Sequence, residues 1–462
     1  MRTFLRSCCL LWTLGAASSS CFAQTGDYLG TVQIGVVKLR LALHILKTPE
    51  GAFQASVDSL DQGARGLPVD LILSGNALRF TGRSGMTYEG EMAADFQSIR
   101  GALSQNGQRF PLDFAKVDKI EGPKRPQTPQ RPFPYKEEEV TISNNGVTLG
   151  GTLSIPQNAT APVSAVIFLT GSGAQDRDET LFEHKPFLLI SDALVRAGIA
   201  TLRLDDRGVG KSTGNLAQST LEDLASDAVA AYQFLKTRKE IKGSSIGFIG
   251  HSEGGITGPM AATRAGEAAF VVMLAGGGVP GDEILLEQGQ AGLRAAGAAP
   301  QVLEFQRAFH QAFLPVVKAE SDPAKLPEKL AAAFEKLKAE NPIANMAAAQ
   351  LQPQLKTLAT PSMSSFIRYD PRPVLAQLKC PVLAINGSLD VQIISTQNLP
   401  AIAAALAKAG NPDYTISNFP GLNHLFQTAK TGSVAEYGQL EQTLSPRVLE
   451  FVTNWVKART IQ

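Results

Sequence analysis

The chain has 462 residues, of which 44% are hydrophobic, and a formal net charge of +1. At about 150 residues per domain, this length predicts two or three globular units with a sizeable core. The near-neutral charge argues against nucleic acid or an anionic membrane surface as the main partner, because such partners usually require a basic excess.

The first residues predict an export signal. Arg2 and Arg6 precede a short apolar run, and small residues follow as far as Ala23. This order is typical of a secretory signal peptide, residues 1–23, and the apolar run is too short for a membrane span, which needs about 20 residues. We therefore expect a periplasmic or extracellular protein without stable membrane insertion. Lipid anchoring at Cys21 is the less favoured alternative, because the leucine usual three positions upstream is missing.

Of the four cysteines, only Cys380 follows the leader. An exported protein with one thiol has no internal disulfide, so its stability must come from its core. Cys380 stands just before an apolar strand, and the sequence supplies no activating neighbours. We predict a small buried residue there and no catalytic thiol.

Residues 27–118 predict a small all-β domain. Apolar and polar side chains alternate from residue 38 to residue 45, the period of a half-buried strand. Further strand-like runs lie at residues 69–73, 77–80, 101–105 and 109–114, with turns at Ser74-Gly75-Asn76 and Asn106-Gly107. This pattern predicts an antiparallel meander or partial barrel. A proline-rich segment, residues 119–137, follows as an extended linker.

Residues 138–462 predict an α/β domain, because continuous apolar strands alternate with helices, as in a parallel sheet covered on both faces. Strands are predicted at residues 139–143, 147–155, 165–169, 199–204, 245–249, 270–274, 382–385 and 414–419. Helices are predicted at residues 186–197, 221–236, 255–264, 399–409 and 446–456.

A long helical insertion interrupts this alternation at about residues 280–372. Val302, Phe305, Phe309 and Phe313 have the spacing of one apolar helix face. An insertion of this size at the carboxyl edge of a sheet is well placed to form a lid over a binding crevice.

The segment Gly250-His251-Ser252-Glu253-Gly254 matches the pattern G-x-S-x-G. A predicted strand leads directly into it and a predicted helix follows. Such a sharp turn holds the serine in a strained conformation at a helix N-terminus, and the flanking glycines permit close backbone approach. Ser252 is therefore the candidate nucleophile.

A second match, from Gly210 to Gly214, lies several residues from its flanking strand and helix. It also contains Gly-Lys-Ser, but Asp205 stands where a phosphate-binding loop requires glycine. We interpret this segment as a tight loop.

A serine hydroxyl needs a base to act as a nucleophile at neutral pH. His424 follows the last predicted strand on a loop with glycine and asparagine, so it is the candidate base. His251 adjoins Ser252, but adjacent side chains in a sharp turn point apart. The other histidines lie in the β domain, between a strand and a helix, and in the insertion: His44, His184 and His310.

Asp390 follows the strand before that of His424 and is the candidate orienting acid. Its competitor, Asp413, precedes a strand and should lie at the opposite edge of the sheet. The order Ser252, Asp390, His424 is the one found in α/β-hydrolases.

Two backbone amides are expected to stabilise an oxyanion: those of Glu253 and Ser172, with Gly171 and Gly173 as alternatives to Ser172. Residues 175–178 are polar and are interpreted either as substrate contacts or as a self-contained ion-paired loop. No clustered His/Cys spacing suggests a metal, and no cofactor is expected.

From residue 140 onward the chain resembles exported bacterial α/β-hydrolases of the dienelactone hydrolase and prolyl oligopeptidase branches. The matching segments are Gly171-Ser172-Gly173, Asp176-Arg177-Asp178, Asp206-Arg207-Gly208, residues 250–254, Tyr369-Asp370-Pro371, Asn386-Gly387 with Asp390, and Asn423-His424. The resemblance implies an α/β-hydrolase fold, a Ser-Asp-His triad and mostly carboxylester substrates. It implies nothing about the chemistry of the N-terminal β domain.

The prediction is thus a serine esterase acting on small-molecule esters through an acyl-enzyme. A serine peptidase or amidase on the same fold is the first alternative, because the triad does not separate the two. A non-catalytic ligand-binding protein is the second. The sequence predicts no oligomeric state.

Overall fold

The computed structural model describes residues 24–34, 37–82, 85–105, 107–122, 124–157 and 159–460. The predicted signal peptide with Cys21 lies outside the described residues, as does Asn106 of the predicted hairpin. The chain divides into two compact units, of which the first ends at Lys124 and the second begins at Arg125.

The first unit is an antiparallel β-barrel. Its strands are β1 (Gly26–Ile34), β2 (Val37–Lys47), β3 (Phe53–Ser59), β4 (Ala64–Ser74), β5 (Ala77–Gly82), β6 (Thr87–Met92), β7 (Ser98–Gln105), β8 (Gln108–Pro111) and β9 (Phe114–Val117). The order β6-β5-β4-β3-β2-β1-β9-β7 closes on itself because β6 also pairs with β7, and β8 lies beside β7. The single strand predicted at residues 109–114 is wrong, since β8 ends at Pro111 and β9 begins at Phe114.

Large aromatic and aliphatic side chains fill the barrel, as alternation along each strand requires. They include Tyr28, Leu43, Ile45, Phe80, Tyr88 and Phe114. At its surface His44 lies between two carboxylates: Nδ1 is 2.8 Å from Asp27 Oδ1 and Nε2 is 3.2 Å from Asp58 Oδ2. Burial opposes the charged form of His44, but hydrogen bonds to both carboxylates raise its pKa above the usual range.

The second unit contains an eight-stranded sheet in the order β10-β11-β13-β12-β14-β15-β16-β17. Its strands are β10 (Tyr135–Asn144), β11 (Val147–Pro156), β12 (Val163–Leu169), β13 (Ala200–Leu204), β14 (Ile241–His251), β15 (Val271–Leu274), β16 (Val382–Gly387) and β17 (Tyr414–Phe419). Strands β12 to β17 are mutually parallel, whereas β11 runs antiparallel to β10 and β13.

Helices cover both faces of this sheet. The α-helices described in this unit are α1 (Pro186–Arg196), α2 (Leu221–Lys236), α3 (Gly254–Ala265), α4 (Gly281–Ala295), α5 (Pro300–Ala319), α6 (Leu326–Glu340), α7 (Pro342–Met346), α8 (Ala348–Leu358), α9 (Pro361–Arg368), α10 (Arg372–Leu375), α11 (Ser395–Lys408) and α12 (Pro446–Thr460). Side chains of α2, α3 and α11 pack on one face and those of α1 and α12 on the other. The strands are therefore apolar on both sides, as the sequence predicts.

The insertion between β15 and β16 comprises α4 to α10 and has its own apolar core, with Phe309, Phe313, Leu330 and Phe334 at its centre. Val302, predicted on the same helix face as Phe309, is 44% exposed. It lies in the first turn of α5, before the part of the helix whose side chains are buried. Among the described residues, no helix is long and apolar enough to cross a membrane.

Candidate active site

Ser252 stands in a sharp turn between β14 and α3. Its backbone φ is 53°, a left-handed value that side-chain-bearing residues rarely adopt. A β-carbon at Gly250 would overlap the carbonyl oxygen of Gly254, and one at Gly254 would overlap that of Leu169. Glycine is therefore required on both sides of the serine for steric reasons.

His424 and Asp390 form a buried hydrogen bond. Asp390 lies on the loop after β16, and His424 lies on the loop after the neighbouring strand β17. The distance from His424 Nδ1 to Asp390 Oδ2 is 2.8 Å, and the two residues are 3% and 5% exposed. The other oxygen of Asp390 accepts the amides of Gln392 at 2.8 Å and Ile393 at 2.9 Å. These bonds fix the carboxylate and leave Nε2 of His424 as the nitrogen available to take a proton.

The loop that carries His424, residues 420–428 (the base loop), packs against the residue before the nucleophile. The ring centroids of His251 and His424 are 4.7 Å apart, and His251 Nε2 donates to the carbonyl of His424 at 3.0 Å. The structure contains no hydrogen bond between the Ser252 hydroxyl and the His424 ring. Such bonds are often long in free enzymes and tighten when substrate binds.

The loop after β12, residues 170–174 (the oxyanion loop), lies against the nucleophile. A β-carbon at Gly171 would stand 3.3 Å from that of Ser252. The Gly171 amide donates to Glu179 Oε1 at 2.7 Å and is therefore engaged. Neither the Ser172 amide nor the Glu253 amide makes a hydrogen bond within the described part of the chain.

A cleft of about 680 Å³ opens above Ser252. The insertion supplies one wall, with Leu285, Gln288, Thr357, Thr360, Ser362, Met363 and Phe366. The remaining walls include Ser172, Asn215, Leu216, Ile256, Gln392 and Ile393. Arg207 also lines the cleft, but its guanidinium is bound to Asp227 at 2.6 Å, so the described lining offers no uncommitted cation.

Parts of the chain are similar to known proteins. The family model described as serine aminopeptidase, S33, matches residues 185–354, which include the Ser252 turn but neither Asp390 nor His424. Esterase EstD of Thermotoga maritima is 25% identical over 356 residues, which cover 77% of this chain and 75% of that protein.

Two solved structures are also similar. Est1E of Butyrivibrio proteoclasticus, determined with bound ferulic acid, has a TM-score of 0.41 and 16% identity over 69% of this chain and 96% of its own. The esterase Pf2001 of Pyrococcus furiosus has a TM-score of 0.45 and 16% identity over 74% of this chain and 100% of its own. The strand order of the sheet and the turn at Ser252 identify the fold of the second unit.

It is an α/β-hydrolase fold.

Sequence reasoning did not predict that two carboxyl groups beside the site, those of Glu253 and Asp206, are buried. Burial raises the pKa of Glu253 to about 7. Burial also raises the pKa of Asp206 to about 7, although a hydrogen bond from Thr170 opposes the shift. Both carboxyl groups line a small cavity of about 60 Å³ behind the oxyanion loop. Both residues lie in segments that carry the family resemblance, but nothing in those segments indicates that the two carboxyl groups are buried.

Within residues 175–178 the side chains of Arg177 and Asp178 are ion-paired, and none of the four residues lines the cleft, which favours the interpretation as an ion-paired loop. Arg177 Nη2 lies 2.7 Å from Asp205 Oδ2, and Asp178 pairs with Arg203. These partners come from strand β13 and its following turn, and they hold the loop on the sheet edge.

The other residues that the sequence offered as candidates for the site bond to structural partners. His184 is buried against Thr443 and Tyr437, His310 contacts Gln306, and Asp413 pairs with Arg459. Within the second G-x-S-x-G match, Ser212 Oγ donates to the Asp205 carbonyl at 2.7 Å.

Cys380 is partly buried beside the core of the second unit, and burial raises the pKa of its thiol to about 11. Within the described residues, no group of three or more His, Cys, Asp or Glu side chains is arranged to hold a metal ion.

Proposed function

We propose that this protein is a hydrolase that cleaves carboxylic esters with Ser252 as nucleophile, His424 as base and Asp390 as orienting acid. The observation that carries the proposal is the buried 2.8 Å bond between His424 and Asp390 beside a serine held at φ 53°. A serine in this conformation at the start of α3 presents its hydroxyl above the sheet edge.

In the proposed reaction Ser252 Oγ attacks the ester carbonyl carbon while its proton passes to His424 Nε2. The amides of Ser172 and Glu253 bind the resulting oxyanion, and each such donor contributes about 3 kcal/mol in rate. Collapse breaks the bond to the alcohol oxygen, which takes the proton from His424. Water then attacks the acyl-enzyme by the same route and releases the carboxylic acid.

The cleft supports an ester whose acyl and alcohol parts carry no negative charge. Its insertion wall combines apolar side chains with neutral polar ones, and none of its described lining residues is charged: Leu285, Met363, Phe366, Gln288, Thr357, Thr360 and Ser362. An anionic acid would need a free cation, and the guanidinium of Arg207 is taken by Asp227. We further propose that the insertion acts as a lid, because its helices α4, α8 and α9 supply this wall.

The decisive experiment replaces Ser252 by alanine and measures hydrolysis of p-nitrophenyl butyrate. We expect Ser252→Ala to lose all turnover above the uncatalysed rate and to resist labelling by a fluorophosphonate, because the attacking oxygen is gone. Ser212→Ala is the matched control in the second G-x-S-x-G segment and should retain turnover per folded molecule. Near-full activity of Ser252→Ala contradicts the proposal.

Peptide-bond cleavage is the second candidate, because the matching family model is described as a serine aminopeptidase. Comparing an aminoacyl p-nitroanilide with the corresponding ester separates the two activities. A protein that neither hydrolyses esters nor reacts with the fluorophosphonate would instead be a ligand-binding protein.

We also propose that the protein is exported, on the strength of the leader at residues 1–23. N-terminal sequencing of the mature protein tests this proposal. A start near residue 24 supports export, and an intact leader contradicts it.

A further inference from the structure

His251, the residue before the nucleophile, connects three segments that carry the site. Its Nε2 donates to the carbonyl of His424 on the base loop at 3.0 Å, and its Nδ1 is 2.9 Å from Glu179 Oε1. The same carboxylate oxygen accepts the amide of Gly171 on the oxyanion loop at 2.7 Å. One carboxylate–imidazole pair therefore joins the nucleophile turn, the base loop and the oxyanion loop.

The hydrogen bond to the base loop fixes one proton on His251. A carbonyl oxygen only accepts, so Nε2 of His251 carries a proton, and Nδ1 carries a second one when it donates to ionised Glu179. Burial disfavours the resulting imidazolium, but the charge and hydrogen bond of Glu179 raise the pKa of His251 above the usual range. The hydrogen bond to the carbonyl of His424 also raises the pKa of His251.

Stability alone does not explain a buried carboxylate–imidazole pair at this place. Glu179 is 1% exposed and His251 is 6% exposed, and apolar side chains such as Phe187 and Phe426 line the adjoining space. Replacing such buried pairs with apolar residues is often neutral or stabilising. Glu179 also has a φ of 53°, which is unfavourable for a residue with a side chain.

We infer that Glu179 and His251 are a positioning pair, which places His424 over Ser252 and turns the oxyanion loop so that the Ser172 amide faces the reacting carbonyl. Neither side chain touches substrate in this inference, which rests on the proposed function. Within the described residues, the two side chains bond only to each other and to the segments that carry the site. Losing the pair should therefore slow the chemical step and leave ester binding nearly unchanged.

The test uses Glu179→Gln, which keeps the size of the side chain and removes its charge. A neutral imidazole has one N–H group, so it no longer donates to both partners. We expect kcat for p-nitrophenyl butyrate to fall on the order of tenfold to a hundredfold, with KM within about twofold of wild type. The rate of fluorophosphonate inactivation should fall by a similar factor, because it depends on the same three segments. Glu240→Gln, which removes a carboxylate paired with Arg238, is the control and should leave both rates unchanged.

The double variant Glu179→Gln/His251→Phe separates positioning from folding. It leaves no unpaired buried charge, so it should melt close to wild type while losing kcat as the single variant does. All rates are expressed per folded molecule, measured by near-ultraviolet circular dichroism. Wild-type kcat in either variant overturns the positioning pair and leaves the proposed function intact. A wild-type protein that neither hydrolyses esters nor labels overturns the proposed function itself.

Discussion

Glu253 is a carboxyl group that burial holds in its neutral form up to about neutral pH. It is 8% exposed, and its pKa rises from 4.5 to about 7 on folding. A raised pKa means that the folded state binds the proton more tightly. This contribution to stability is complete below about pH 4.5 and is lost as the pH rises through about 7. Glu253→Gln should therefore raise the free energy of unfolding at about pH 8.5 by up to about 3 kcal/mol, with little change at about pH 4.5.

Urea unfolding at the two pH values measures this difference. Glu335→Gln, at an exposed position on α6, is the control and should show no pH-dependent gain. An equal effect of Glu253→Gln at both pH values would show that the carboxyl group ionises normally in the folded protein.

At the scale of single elements, the nucleophile turn depends on close backbone contact. A β-carbon at Gly250 would overlap the Gly254 carbonyl, whereas one at Gly292 of α4 would have no neighbour within 4 Å. Gly250→Ala should displace Ser252, lower kcat/KM by about a hundredfold or more and reduce stability by about 1–3 kcal/mol. Gly292→Ala should instead stabilise the helix by about 0.5–1 kcal/mol and leave kcat/KM unchanged. Ester kinetics and thermal melts of the two variants test these expectations. A Gly250→Ala variant with wild-type kcat/KM would contradict the steric argument.

The elements show which structural features local sequence can predict. Helix α2 begins and ends at the predicted residues, because its apolar period and its Thr220–Asp223 capping box are local signals. Helix α11 begins at Ser395, earlier than the predicted residue 399, since its first turn is polar. The closure of the barrel by β6 and β7, the cleft walls and the Glu179–His251 pair depend on contacts between distant segments. Periodicity therefore does not reveal them.

At the scale of the whole molecule, each of the two units has its own core, so unfolding need not be a single two-state transition. His44 belongs to the barrel, and its raised pKa stabilises that unit below about pH 6.5, an effect that is lost as the pH rises through the raised value. Raising the pH from about 5.5 to about 8.5 should lower the melting temperature of the barrel transition. Differential scanning calorimetry of His44→Gln should show a smaller pH dependence of that transition only. If the pH dependence of the barrel transition were unchanged in the variant, another titrating group would be responsible for it.

The order of the strands along the chain has a consequence during synthesis. Ser252 follows β14, whereas Asp390 and His424 follow β16 and β17, after the whole helical insertion. A polypeptide leaving the ribosome amino end first thus exposes the attacking serine well before the imidazole that would activate it. On the proposed mechanism, a stalled or proteolysed fragment that stops short of β17 would be chemically silent toward the esters of its own cell.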